Sequence, residues 1–371
     1  MLLIPGPVEV PFSVANAGSY VVNHRSHEFR QIMEENQSLL NKFSGAYKTV
    51  MVTGSGTLAV ETMVFSLIKE DDRVLSISYG DFGERLIESI SRKTKNTQFI
   101  KYDMLDMQLL LNEIRDRDYD KLFLVHNETS NGTAIRDMSE IIKIVRGKGA
   151  KLLIDDVSGF GGYSMGMEGV YAMVTGSQKN IAAIPGIGII FLSREACEDM
   201  ENVPSVNAPF YLDLKTSMKF LDKNETAYTP ATGAFKSMNL ALKILDREGF
   251  INRVNRIESS SQFIRDKLAE NGVRIFGNKD IYSSTVVCFY NNDSEMIKKL
   301  LNAGISVSRG MGSISGATLR VGTMGVINNF YIAKFLNTYF KLSGVNKTIN
   351  MDEIPEATRL PAFLMDDINL A

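Results

Sequence analysis

Lys179 stands in VTGSQKNIAAIPGIGII, with apolar runs on both sides and its nearest carboxylate, Glu168, eleven positions back (179 − 168). A lysine held among apolar neighbours loses hydration. Desolvation disfavours the ammonium form, so the amine becomes a better nucleophile near neutral pH. A lysine that snorkels from a strand end is the commoner arrangement, so other residues must decide. Asp155 closes the apolar run KLLID. An ionised carboxylate there needs donors or a cation, and a protonated ring nitrogen would serve. Asp156 beside it reads equally well as a turn or helix-cap aspartate. Arg320, within LRVGTMG, places a planar guanidinium in apolar surroundings. It would pair a carboxylate bidentately, either a substrate's or that of an internal salt bridge.

The stretch TGSGTLAVE follows a β-rich run and opens a helical one. Gly54, Ser55, Gly56 and Thr57 would bring backbone N–H groups and two hydroxyls to an anion such as phosphate. No lysine follows the second glycine, so this is not a Walker A loop, but Gly54, Gly56 and Ala59 do satisfy G-x-G-x-x-A. A dinucleotide site therefore competes, with Asp71 or Asp72 near the spacing expected of a ribose partner. Phe82 in GDFGE would stack on a flat ring or join the core. His24, His27 and His126, with scattered Cys197 and Cys288, make no metal-ligand set. Glu128 would orient or cap its loop.

These residues need a frame. Between Lys48 and about Leu192, short β-rich runs (48–53, 73–78, 97–102, 121–126, 151–155, 170–175, 187–193) alternate with helix-like stretches. That alternation predicts βαβ units and a mostly parallel seven-stranded sheet, with ligands beyond the strands' carboxyl ends. A long helix broken near Gly249 follows, then a smaller α+β unit. The expected organisation is an N-terminal arm (1–16), a large α/β domain (17–248) and a small C-terminal domain (249–371).

The 371 residues are 44% hydrophobic and 23% charged, with a formal net charge of −2. No basic surplus points to nucleic acid. No signal peptide or membrane span is expected. Two cysteines without CxxC spacing favour a reduced, cytoplasmic compartment.

Taken in order, LIPGPVEVP, TGSGT, VHNETSNGT, DDVSGFGG, TGSQKNIAAIPG and LRVGTMG resemble the class V aminotransferases. The likeness to the alanine–glyoxylate and serine–pyruvate members covers nearly the whole chain. It implies fold type I, pyridoxal phosphate (PLP) as cofactor and Lys179 as the residue forming the internal aldimine. It further implies Asp155 on the pyridinium nitrogen, Val157 and Phe82 on the two ring faces, and Ser55, Gly56, Thr57 and Gln178 at the phosphate. Thr129 would lie by the ring hydroxyl and Arg320 on the substrate carboxylate. Gly6, His24 and Arg25 would line the entrance. A homodimer is implied as well, with Thr229 completing the partner's phosphate site. The expected reaction is ping-pong transamination between a small amino acid (alanine, serine or aspartate type) and glyoxylate or pyruvate. Thr323 after Gly322, where relatives often read GHMG, and Arg309 depart from the pattern; Arg309 would accept a second acidic group. Lyase or desulfurase chemistry on the same fold would need a mobile cysteine. An NAD-dependent dehydrogenase would leave Lys179 and Arg320 without a role.

Overall fold

The computed structural model describes residues 1–202 and 208–368. Seven strands form its main sheet: β1 (Lys48–Thr53), β2 (Val74–Ser78), β3 (Thr97–Lys101), β4 (Lys121–Val125), β5 (Lys151–Asp155), β6 (Ala172–Gly176) and β7 (Ile187–Leu192). Their spatial order is β3-β2-β4-β5-β6-β7-β1, and only β7 runs against its neighbours. Strands such as KLFLV and AMVTG are buried at every position. A parallel sheet covered on both faces requires such continuous apolar runs rather than alternation. The expected α/β fold with a mostly parallel seven-stranded sheet is present. Strand ends differ by one or two residues: Val170 and Tyr171 precede β6, and His126 lies in a bend between β4 and a separate short strand, Asn127–Glu128, which pairs with Thr133–Ala134.

The helices Gly56–Leu67 and Asp81–Lys93 start directly beyond the ends of β1 and β2. The expected long helix is two, Thr232–Glu248 and Phe250–Glu270, divided at Gly249 (φ +88°). One core gathers side chains between Val14 and Ile281 around the main sheet. A second joins Leu3 to residues 263–368 around β8 (Val286–Tyr290), β9 (Ser308–Arg309) and β10 (Thr318–Gly322). Between them Val8, Ala182, Val286 and Met324 form a small apolar junction. It brings the N-terminal arm, the Lys179 loop and the turn after β10 together.

Candidate active site

The carboxyl ends of β1, β2, β4, β5 and β6 deliver Ser55, Phe82, Thr129, Asp155 and Lys179 to one edge of the sheet, where a crevice is expected for this architecture. Lys179 is 8% exposed. Its Nζ donates to the Pro5 carbonyl at 2.5 Å, and no carboxylate pairs with it among the described residues. Burial first, then the charge of Arg320, lowers its pKa to about 8, against a smaller opposing pull from Asp155. The backbone around it is under constraint. Ala182, whose N–H bonds the Lys179 carbonyl, has φ +59°, a conformation that costs a non-glycine residue free energy.

Asp155 is buried at the end of β5, and its Oδ1 accepts the Val157 N–H at 3.0 Å. Burial raises its pKa to about 7, helped by the nearby charges of Glu128 and Asp156. Among the described residues no cation forms an ion pair with this carboxylate, and Lys179 acts on it only weakly. Val157 in turn packs on the first helix of the sheet: a Cβ on Gly56 would stand 2.7 Å from both Val157 methyls. Thr57, Phe82, Asp155 and Val157 share the wall of one cleft of 360 Å³.

Ser55 is the N-cap of helix Gly56–Leu67 yet makes no side-chain cap bond, and both Ser55 and Thr57 are exposed. Their hydroxyls and the helix's first N–H groups remain open to an anion. Gln178 Oε1 is buried without a partner, while the Gln178 carbonyl accepts Val8 N–H at 3.1 Å. Gly6 (φ +117°) lies against the lysine, where an added Cβ would come within 2.8 Å of Lys179 Cδ and Nζ. Phe82 opens helix Asp81–Lys93. Glu128 holds that opening by accepting from the Phe82 and Gly83 N–H groups and from Ser130. The bonds from Ser130 hold the loop after its own strand, as expected for Glu128, whereas the hold on helix Asp81–Lys93 was not expected; burial pushes its pKa upward.

Arg320 on β10 reaches across from the small sheet. Its Nη1 donates to the Thr129 carbonyl at 2.6 Å and its Nε to the Arg309 carbonyl at 2.7 Å. These bonds aim the fork and leave Nη2 to a further acceptor. Thr129 Oγ1 donates to Ser158 Oγ at 2.5 Å. Arg309 corrects an expectation. Its exposed guanidinium turns to the Ser294 carbonyl at 3.0 Å, so only its backbone belongs to the site. Thr323 is buried and spends its hydroxyl on the Ser284 carbonyl. His24 sits half-buried in the turn before helix His27–Ser44. Arg25 pairs with Glu225, and Thr229 is exposed near the mouth of β1, where Ala231 N–H bonds Thr53 Oγ1 at 2.9 Å.

Sequence reasoning did not pair His126 with Asp156, which meet at 2.6 Å between His Nδ1 and Asp Oδ1 and are both 1% exposed. Thirty residues separate them, and no local spacing announces the contact. Nor did it anticipate Asn180, whose Nδ2 donates to the Ser158 and Phe160 carbonyls.

The sequence profile described as Aminotransferase class-V matches residues 12–329. The chain belongs to that family. An uncharacterised aminotransferase of Methanocaldococcus jannaschii is 33% identical over 340 residues, 88% of either chain. Mouse alanine–glyoxylate aminotransferase is 28% identical over 88% of this chain and 83% of its own. The crystal structure of alanine–glyoxylate aminotransferase from Nostoc sp. superposes with a TM-score of 0.85 at 25% identity, covering 92% and 94% of the two chains. The aminotransferase uses PLP, and the residues present fit it. Among the described residues the buried Asp155 carboxylate pairs with no cation and the buried Lys179 amine with no carboxylate, and glycines at 6 and 56 let the chain lie directly against Lys179 and Val157. Among the described residues no helix is long and apolar enough to cross a membrane.

Proposed function

We propose that this aminotransferase moves an amino group between a small amino acid of alanine, serine or aspartate type and a small 2-oxo acid, glyoxylate or pyruvate, by a ping-pong sequence. The observation that carries the reading is the buried amine of Lys179 and the buried carboxylate of Asp155 at one edge of the sheet, each acting on the other's charge without forming an ion pair. PLP supplies the electron sink for the pair of electrons left at the substrate Cα. Lys179 would hold the cofactor, and its Nζ would be the base that takes and moves the proton at the substrate Cα. Such proton transfer by a positioned base is worth about 10²–10⁴-fold. A pKa near 8 suits that task, because the amine can be free near neutral pH.

Asp155 holds the proton on the ring nitrogen. A cation there would also draw its own pKa back down. Val157 and Phe82 would pack on the ring, Ser55, Gly56, Thr57 and Gln178 would hold the phosphate, and Thr129 would serve the ring hydroxyl. Arg320 binds the substrate α-carboxylate through the donors that Thr129 and Arg309 leave unused. Gly6 and His24 line the entrance, and a second copy in a homodimer completes the phosphate site through Thr229. The names of the mouse and Nostoc relatives favour alanine and glyoxylate as substrates.

Desulfurase chemistry on this fold is disfavoured. Cys197 and Cys288 are buried, and burial pushes their thiols up to about 11 and about 12, far from a reactive thiolate. Mixing the holoenzyme with single amino acids and following its visible band tests the reading. Bleaching by alanine or serine, restored by glyoxylate or pyruvate, supports it. A band indifferent to every amino acid contradicts it.

A further inference from the structure

The two long helices meet at Gly249, and three charged side chains beside that break are almost free of solvent. Glu248 is 7% exposed, and Arg253 and Arg256 are 2% each. Each oxygen of Glu248 serves one arginine. Oε2 takes Arg253 Nε at 2.6 Å and Nη2 at 2.5 Å, and Oε1 takes Arg256 Nε at 2.8 Å. Burial alone would raise the Glu248 pKa, but the two guanidiniums hold it at about 2. One carboxylate between two cations leaves a surplus positive charge, and a buried surplus needs acceptors.

The acceptors are three backbone carbonyls. Arg253 Nη1 donates to Asn180 at 2.8 Å. Arg256 donates to Ile327 at 2.5 Å and to Gly325 at 3.2 Å. Asn180 directly follows Lys179 and also braces the loop after Asp155 through Ser158 and Phe160. Gly325 and Ile327 form the turn just after β10, which carries Arg320. The reactive amine and the carboxylate-binding guanidinium sit on different cores. One ionic cluster grips the chain beside both.

We infer that Glu248, Arg253 and Arg256 are positioning residues of the transamination, a clamp at the junction of the two cores that sets the Lys179 loop and the exit of the Arg320 strand relative to one another. Stability alone is a poor account of the cluster. Desolvation of buried ions offsets most of their attraction, and apolar replacements are often as stable. Geometry is what the arrangement supplies. Arg253 serves Glu248 and Asn180 at once through a planar fork, which a lysine with a single nitrogen cannot reproduce. Misplacing a reacting group by about an ångström costs up to ~10²-fold. The inference rests on the roles proposed above for Lys179 and Arg320.

The two arms give the test. In holoenzyme, Arg253→Lys should lower kcat about tenfold and shift the cofactor's visible band, with the KM for amino donor within about twofold. Arg256→Lys should raise that KM about tenfold, with kcat and the band little changed. A merely structural role would lower kcat with the folded fraction in both variants and leave KM and the position of the band unchanged. Equal effects of the two variants, or none, overturn the inference. Should either variant fail to fold, Glu248→Gln replaces it. This keeps the shape but loosens both arginines, so kcat should fall and KM should rise. Unchanged values overturn the clamp. Borohydride labelling of wild type separates the two layers: label absent from Lys179 sinks the reading of the site, whereas label on Lys179 without the split sinks only the clamp.

Discussion

The amine of Lys179 donates to the carbonyl of Pro5, 174 residues earlier in the chain. The arm therefore helps to place the Lys179 side chain and is not an appendage. Val8 bonds the Gln178 carbonyl, Leu3 bonds Ser306 and receives Gly322, and Leu3 sits in the second core. The lysine rests against a backbone dipole that it would have to leave in the proposed reaction.

Gly6 tests that relationship. An alanine there would face both a φ of +117° and a Cβ 2.8 Å from Lys179 Nζ. Gly6→Ala should destabilise the protein by about 1–3 kcal/mol and weaken cofactor binding, read by thermal melting and by PLP titration. Full retention of cofactor affinity would contradict the packing described.

Arg320→Gln should raise the KM for amino and oxo acids by roughly 10–10²-fold, the worth of a lost charged hydrogen bond. Arg320→Lys should not restore it, because one ammonium cannot serve the Thr129 and Arg309 carbonyls and a carboxylate together. Steady-state kinetics on both variants decide this. Arg309→Ala, by contrast, should leave the ratio of aspartate to alanine turnover unchanged, since its guanidinium faces Ser294.

The ligand-free protein should show a distinct dependence on pH. Asp155 has a raised folded pKa of about 7, so the folded state binds its proton more tightly than the unfolded chain does. Its contribution is present at acid pH and is lost as pH rises from about 4 through 7. Lys179 is lowered to about 8, so the folded state resists protonation, and stability is regained only as pH rises from about 8 towards 10. Lys179→Met should therefore stabilise the ligand-free protein at pH 7, by up to about 3 kcal/mol. A melting temperature equal to or below that of wild type, across pH 6–8, would contradict the assigned shift.

Much of this was legible from sequence because the signals are local. KTVMVT and KLLID became strands with the expected limits, and the Gly249 break in the helical run was read correctly. Lys179 stood out because its neighbours are apolar over many residues. The remainder depends on contacts between distant segments. Asp156 looked like a cap until His126 arrived from another strand end. Glu248, Arg253 and Arg256 sit in REGFINRVNR, where the glycine interrupts helical spacing and hides their convergence. Arg309 misled because position in sequence does not show which way a side chain turns. Its backbone reaches the site while its charge leaves it.

The most direct measurement is borohydride reduction of the PLP-loaded protein, followed by peptide mass mapping. The account predicts a single reduced phosphopyridoxyl group on Lys179, and none in Lys179→Ala. A reduced label on another lysine, or none in the wild-type protein, would contradict it.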